Sequence, residues 1–219
     1  LTRTAEETAR LKPTGTAMTG RDFTVGASSH QGTMNRHDDV VAPTYASLDG
    51  QVHASKEKYD YAASDGLHIP GYLTVPAGVD KRMMPLIVLP HGGPNARDDQ
   101  SFDFWPFFYA ARGYLVYQPN FRGSSGYGKT FLQAGDGQWG RRMQDDISEG
   151  VHKLIAEGVV DPSRICIVGA SYGGYAALVG ASRTTDLYSC AVSVAGISNV
   201  SSLVDPDDPE SVAYWDSRI

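Results

Sequence analysis

The chain has 219 residues, 41% of them hydrophobic, the proportion of an ordinary soluble globular protein. Its formal net charge of −6 disfavours nucleic acid or an anionic membrane as the main partner. No apolar run approaches the ~20 residues needed to cross a bilayer, and no signal peptide is visible.

Residues 1–56 are polar and rich in Thr, Ser, Ala and Gly, and only Asp22–Val25 and Asp39–Val41 look strand-like. They cannot build a core alone and are expected to be the end of another domain or a linker. The first residue is Leu1 rather than Met, as expected of a processed or excised piece. Order is expected from Lys58. Tyr59–Ala63 and Leu67–Val75 are rich in β-formers around the turn Ser64-Asp65-Gly66, which predicts an antiparallel hairpin. Pro85–Pro90 is an apolar run bounded by prolines, the pattern of a buried parallel strand.

Phe102–Arg112 reads as an aromatic helix ending at Gly113, and Tyr114–Tyr117 as the next buried strand. Trp139–Glu157 carries Met143, Ile147, Val151, Leu154 and Ile155 at steps of three and four, one apolar face of a helix. After Gly158 and Asp161-Pro162 come a strand over 165–168, a helix over Tyr172–Ser182, and a strand near Ala191–Val194. Strands alternating with helices predict an α/β fold with a mostly parallel sheet flanked by helices. Cys166 and Cys190 lie in apolar runs and are expected to be buried free thiols; a disulfide between neighbouring strands is the alternative.

Gly169-Ala170-Ser171-Tyr172-Gly173 has the form G-x-S-x-G, between an apolar strand and a helix. That context is a nucleophile elbow. Serine is a poor nucleophile until it is held exposed beside a base. Side chains at 169 and 173 would collide where strand and helix meet, so both positions require glycine. The nucleophile also needs an oxyanion hole, built from the N–H of the following residue, Tyr172, and one from an earlier loop. His91-Gly92-Gly93-Pro94 follows the strand ending at Leu89 and supplies such a loop.

His91 precedes the serine, whereas this fold orders its triad Ser, Asp or Glu, then His. It is read as organising the loop rather than as the base. His30, His37, His53, His68 and His152 also precede Ser171, without a motif around them. Asp145-Asp146 near a helix start is read as a dipole and solvation feature. Asp205–Glu210 is read as a solvated loop, and Asn199-Val200-Ser201 as a formal glycosylation sequon of little weight. No histidine follows Ser171; downstream carboxylates are Asp186, Asp205, Asp207, Asp208, Asp216 and Glu210. A triad in the expected order cannot be assembled from these residues.

Four stretches together resemble the prolyl oligopeptidase family of serine peptidases, in the branch of acylaminoacyl-peptidases and dipeptidyl aminopeptidases: Ala63–Tyr72, His91–Pro94, Asn120–Gly128 and Gly169–Tyr175. The resemblance implies an α/β-hydrolase peptidase domain whose N-terminal portion is 57–219, lacking its C-terminal strands, preceded over 1–56 by the end of a β-propeller or a linker. It implies Ser171 as nucleophile and the N–H groups of Gly93 and Tyr172 as the oxyanion hole. His91, Gly92, Gly169, Gly173 and Arg122 would be supporting residues, Arg122 ordering its loop. It further implies short peptide substrates, an acyl-enzyme, and no metal or cofactor. The triad Asp and His would lie outside this sequence, leaving the chain inactive by itself and, with an unpaired sheet edge, prone to form a homo-oligomer. A carboxylesterase on the same fold and a non-catalytic remnant are the alternatives.

Overall fold

The computed structural model describes residues 54–219, which form one compact unit. The strand-like runs at 22–25 and 39–41, and His30, His37 and His53, lie outside the described residues. The main sheet contains β1 (Ala54–Lys58), β4 (Gly71–Pro76), β5 (Met84–Val88), β6 (Leu115–Pro119), β7 (Val160–Ala170) and β8 (Cys190–Val194). Its strand order is β1-β4-β6-β5-β7-β8. β4 is antiparallel to both β1 and β6, and the strands from β6 through β8 are mutually parallel. The helices are α1 (Phe104–Ala110), α2 (Lys129–Gln133), α3 (Arg142–Ala156), α4 (Tyr172–Arg183) and α5 (Pro209–Asp216).

The period of two along the strands sorts side chains to two faces. Leu86 and Val88 of β5 join the large core with α3 and α4, whereas Ile87 and the following Leu89 join a smaller cluster with Trp105 and Tyr109 of the α1 layer. α3 docks through Met143, Ile147, Val151 and Leu154, all fully buried. Each such side chain contributes roughly 1.5–3 kcal/mol relative to exposure.

The predicted hairpin forms and runs further upstream than expected. β2 (Tyr61–Ala62) pairs with β3 (His68–Ile69), and the same antiparallel register continues, through the bond from the Tyr59 N–H to Gly71 O, into the pairing of β1 with β4. Pro70 has no N–H to donate and interrupts the ladder, and β4 pairs along its other edge with β6. β7 also begins earlier than predicted, at Val160, which pairs with Met84 before a register shift in β5.

The cysteines are not free thiols. Parallel pairing of β7 with β8 makes Cys166 and Cys190 direct partners, 4.6 Å apart at Cα, and their sulfurs form a disulfide. It closes a loop of sequence separation 24, worth about 3 kcal/mol by restricting the unfolded chain. Nor is β8 buried: all five of its residues are exposed, because among the described residues only β7 pairs with it. Asp205–Glu210 is more ordered than a solvated loop. The Asp208 side chain accepts from the Glu210 N–H and caps α5, with Pro209 in its first turn.

Candidate active site

The chain leaves β7 at Ala170, reverses at Ser171 and enters α4 at Tyr172. Ser171 has φ +55° and is exposed. A positive φ in a non-glycine residue costs on the order of 1–3 kcal/mol and persists only where the surroundings enforce it. Here the Ser171 N–H donates to Val194 O at 3.1 Å, and its carbonyl accepts from the Tyr175 N–H at 3.0 Å. The turn leaves no room for side chains at its flanks. A Cβ on Gly169 would strike the Gly173 backbone, and one on Gly173 would strike the Pro90 carbonyl.

That second contact shows how the elbow meets the turn after β5. A Cβ on Gly92 would lie 3.6 Å from Ser171 Cβ and 3.5 Å from Ala170 O. The His91–Gly93 turn therefore lies against the elbow, although many residues separate them in sequence. Gly93 has φ +118°. Tyr172 is the first residue of α4, so its N–H is among the four that a helix leaves without an internal partner. Its side chain is fully buried, against Phe121, Trp139 and Tyr175.

His91 is half-buried, and both of its ring nitrogens have partners other than Ser171. Its Nδ1 lies 2.7 Å from Gly92 O and its Nε2 2.9 Å from Ser124 Oγ. Burial pulls its pKa down to about 4, against the hydrogen bond to Gly92 O. The ring is thus neutral at pH 7. A carbonyl only accepts, so Nδ1 carries the proton and Nε2 accepts the Ser124 hydroxyl proton. Phe121 O, 2.6 Å from Ser124 Oγ, is a second acceptor for that proton. His68 and His152 are exposed on β3 and α3, apart from this cluster.

Arg122 is joined to Asp146 of α3. Oδ2 of Asp146 accepts from the Arg122 backbone N–H at 2.9 Å and from Nε at 2.8 Å, and Oδ1 accepts from Nη2 at 2.7 Å. Nη1 reaches Asp65 Oδ2 at 2.8 Å. The Asp146 bond, with support from Asp65, raises the Arg122 pKa. Burial pushes the Asp146 carboxyl up, and the Arg122 hydrogen bonds oppose that. The dipole and solvation reading therefore fails for Asp146, which is 1% exposed. It holds only for Asp145, in the first turn of α3 and 3.6 Å from Arg183. The missed signal was periodicity. Asp146 is three residues after Met143 and falls on the buried face of its helix.

A mostly parallel sheet flanked by helices, with a serine forced to positive φ between a strand and a helix, defines the α/β-hydrolase class. Residues 100–215 match the prolyl oligopeptidase family. The chain belongs to that family. Dipeptidyl aminopeptidase BIII of Pseudoxanthomonas mexicana is 37% identical over 177 residues, covering 78% of this chain and 25% of that protein. A crystal structure of puromycin hydrolase superposes with a TM-score of 0.67 at 27% identity, over 76% of this chain and 26% of its own. An acylaminoacyl peptidase in complex with Z-Gly-Gly-Phe-chloromethyl ketone gives 0.63 at 28% identity, over 70% and 25%. The chain thus spans about a quarter of the length of the relatives it matches.

Proposed function

We propose that these residues are the nucleophile-bearing part of a serine peptidase acting on short peptides. The observation that carries this reading is the exposed Ser171 at positive φ, braced by Gly169 and Gly173 against the His91–Gly93 turn. Ser171 Oγ attacks the peptide carbonyl. The backbone N–H groups of Gly93 and Tyr172 hold the oxyanion, the amine departs, and water hydrolyses the acyl-enzyme. The base is a histidine oriented by an aspartate, both supplied from outside these 219 residues, because no histidine follows Ser171 and His91 is engaged elsewhere. Residues 57–219 would then be the N-terminal portion of the peptidase domain, and 1–56 the end of a preceding propeller or a linker. Family membership and the peptidase relatives support this reading over an esterase.

The test uses dipeptidyl- and aminoacyl-nitroanilides. The full-length enzyme should cleave them, and Ser171→Ala should lower kcat by on the order of 10⁴–10⁶-fold. The 219-residue chain alone should show no turnover. Wild-type rates in full-length Ser171→Ala, or saturable cleavage by the 219-residue chain that Ser171→Ala abolishes, would overturn the respective claims. Hydrolysis of nitrophenyl esters without nitroanilides would favour the esterase. The chain alone should also self-associate through β8, where Val192 and Val194 are 46% and 43% exposed. Light scattering checks this; a clean monomer refutes it.

A further inference from the structure

The two oxyanion donors proposed above come from separate elements, the turn after β5 and the N-terminus of α4, so something must set their spacing. Phe121, in the loop after β6, touches both elements. It is fully buried. Its ring stacks on His91 at 4.4 Å and 19° and packs on Tyr172 at 5.2 Å and 34°. His91 leads directly into Gly92-Gly93, and Tyr172 is itself the other donor. Phe121 is therefore a spacer between the two halves of the hole.

The spacer is itself anchored. Its carbonyl lies 2.6 Å from the Ser124 hydroxyl, which also meets His91 Nε2. The next residue, Arg122, is held to Asp146 by its backbone N–H and by two guanidinium nitrogens. Such a fork fixes direction as well as distance. Asp146 sits between Met143 and Ile147, both fully buried in the core, so α3 cannot easily rotate under it.

We propose that Phe121 and Asp146 are positioning residues of the oxyanion hole. Asp146 holds Arg122, Arg122 sets Phe121, and Phe121 sets the distance between the Gly93 and Tyr172 amides. The inference rests on the peptidase reading of Ser171. Backbone donors stabilise a transition state only where they are held in place beforehand. Loosening the spacer should raise the barrier of the chemical step and leave ground-state peptide binding alone.

The experiment compares full-length enzyme carrying Phe121→Leu, Arg122→Lys or Asp146→Asn with wild type, using a dipeptidyl-nitroanilide. A peptide aldehyde supplies the decisive readout, since its hemiacetal with Ser171 presents an oxyanion and a product dipeptide does not. Phe121→Leu should lose kcat by on the order of 10²-fold, the cost of a displacement near 1 Å, and weaken aldehyde inhibition by a similar factor. KM and product inhibition should hold, whereas the melting temperature should fall, since Phe121 is fully buried. Arg122→Lys, which keeps the charge and loses the fork, should show the same split. If Asp146→Asn does not fold, these two variants decide. Wild-type kcat in Phe121→Leu, unchanged aldehyde affinity, or a loss shared with KM and product binding would overturn the proposal. Ser171→Ala separates the two failures: an inactive Ser171→Ala beside an unaffected Phe121→Leu refutes the spacer alone, and an active Ser171→Ala refutes the peptidase reading beneath it.

Discussion

Asp146 and Asp98 each bring a carboxylate out of water, on opposite faces of the sheet, and their surroundings differ. Asp146 meets three N–H donors from Arg122. Asp98 lies in the loop after β5, near Gln118 and the α1 cap Asp103. Its backbone is well held, the N–H donating to Asn120 Oδ1 at 2.8 Å and the carbonyl accepting from Asn120 Nδ2 at 3.0 Å. Its side-chain Oδ2, however, is buried and meets no hydrogen-bond partner among the described residues. Burial pushes the Asp98 pKa up to about 7; Lys56 and a side-chain hydrogen bond from Gln118 oppose the shift, and Asp103 and Asp99 add to it. Burial pulls Lys56 down as well. Burial alone thus says little about a charge. A fork of donors keeps one carboxylate in place, whereas a loosely placed lysine leaves the other half-protonated near neutrality.

The largest test of this contrast removes one member of the strong pair. Asp146→Ala in the 219-residue chain should cost about 3–5 kcal/mol by stranding a buried guanidinium, read as a lowered denaturation midpoint. A midpoint within error of wild type would break the comparison. The second test is Asp98→Asn. In the folded chain Asp98 keeps a proton that the unfolded chain releases above about pH 4, so its contribution to stability falls as pH rises from there to about 7. The variant should melt above wild type at pH 8 and lose that advantage at pH 4. A constant difference at both pH values would show that Asp98 does not titrate in this window.

The smallest effect belongs to Asp65, the outer partner of Arg122. The Arg122 hydrogen bond holds its pKa down to about 2. Its contribution is therefore present above about pH 4 and fades as pH falls through about 2. Because the side chain is 30% exposed, solvent screening keeps the effect under about 1 kcal/mol. Asp65→Asn should flatten the acid limb of the stability curve; melts between pH 2 and 5 measure it.

What could be read ahead of the structure was local. The proline-bounded run before His91, the period of α3 and the glycines around Ser171 each carry their reason within a dozen residues. The structure places β5, α3 and the elbow at those positions. What escaped depends on partners far along the chain. Arg122 and Asp146 are adjacent only because the loop after β6 crosses the start of α3. The cysteine pairing is invisible until β7 and β8 have a register. The β-rich stretch after Leu67 could not announce that its far end would also pair with β6, more than forty residues on. Asp146 is the exception, since its place on an apolar helical face could have been noticed from spacing alone.

The bond between Cys166 and Cys190 encloses the whole elbow and α4 within its loop. Ser171 is therefore part of a covalently closed circuit of chain. A single cut in the peptide backbone inside that circuit would leave both fragments tethered, so a nicked protein would migrate as one piece until a thiol reductant opened the bridge. The segment bearing the serine is thus fastened to the sheet by a covalent bond as well as by packing.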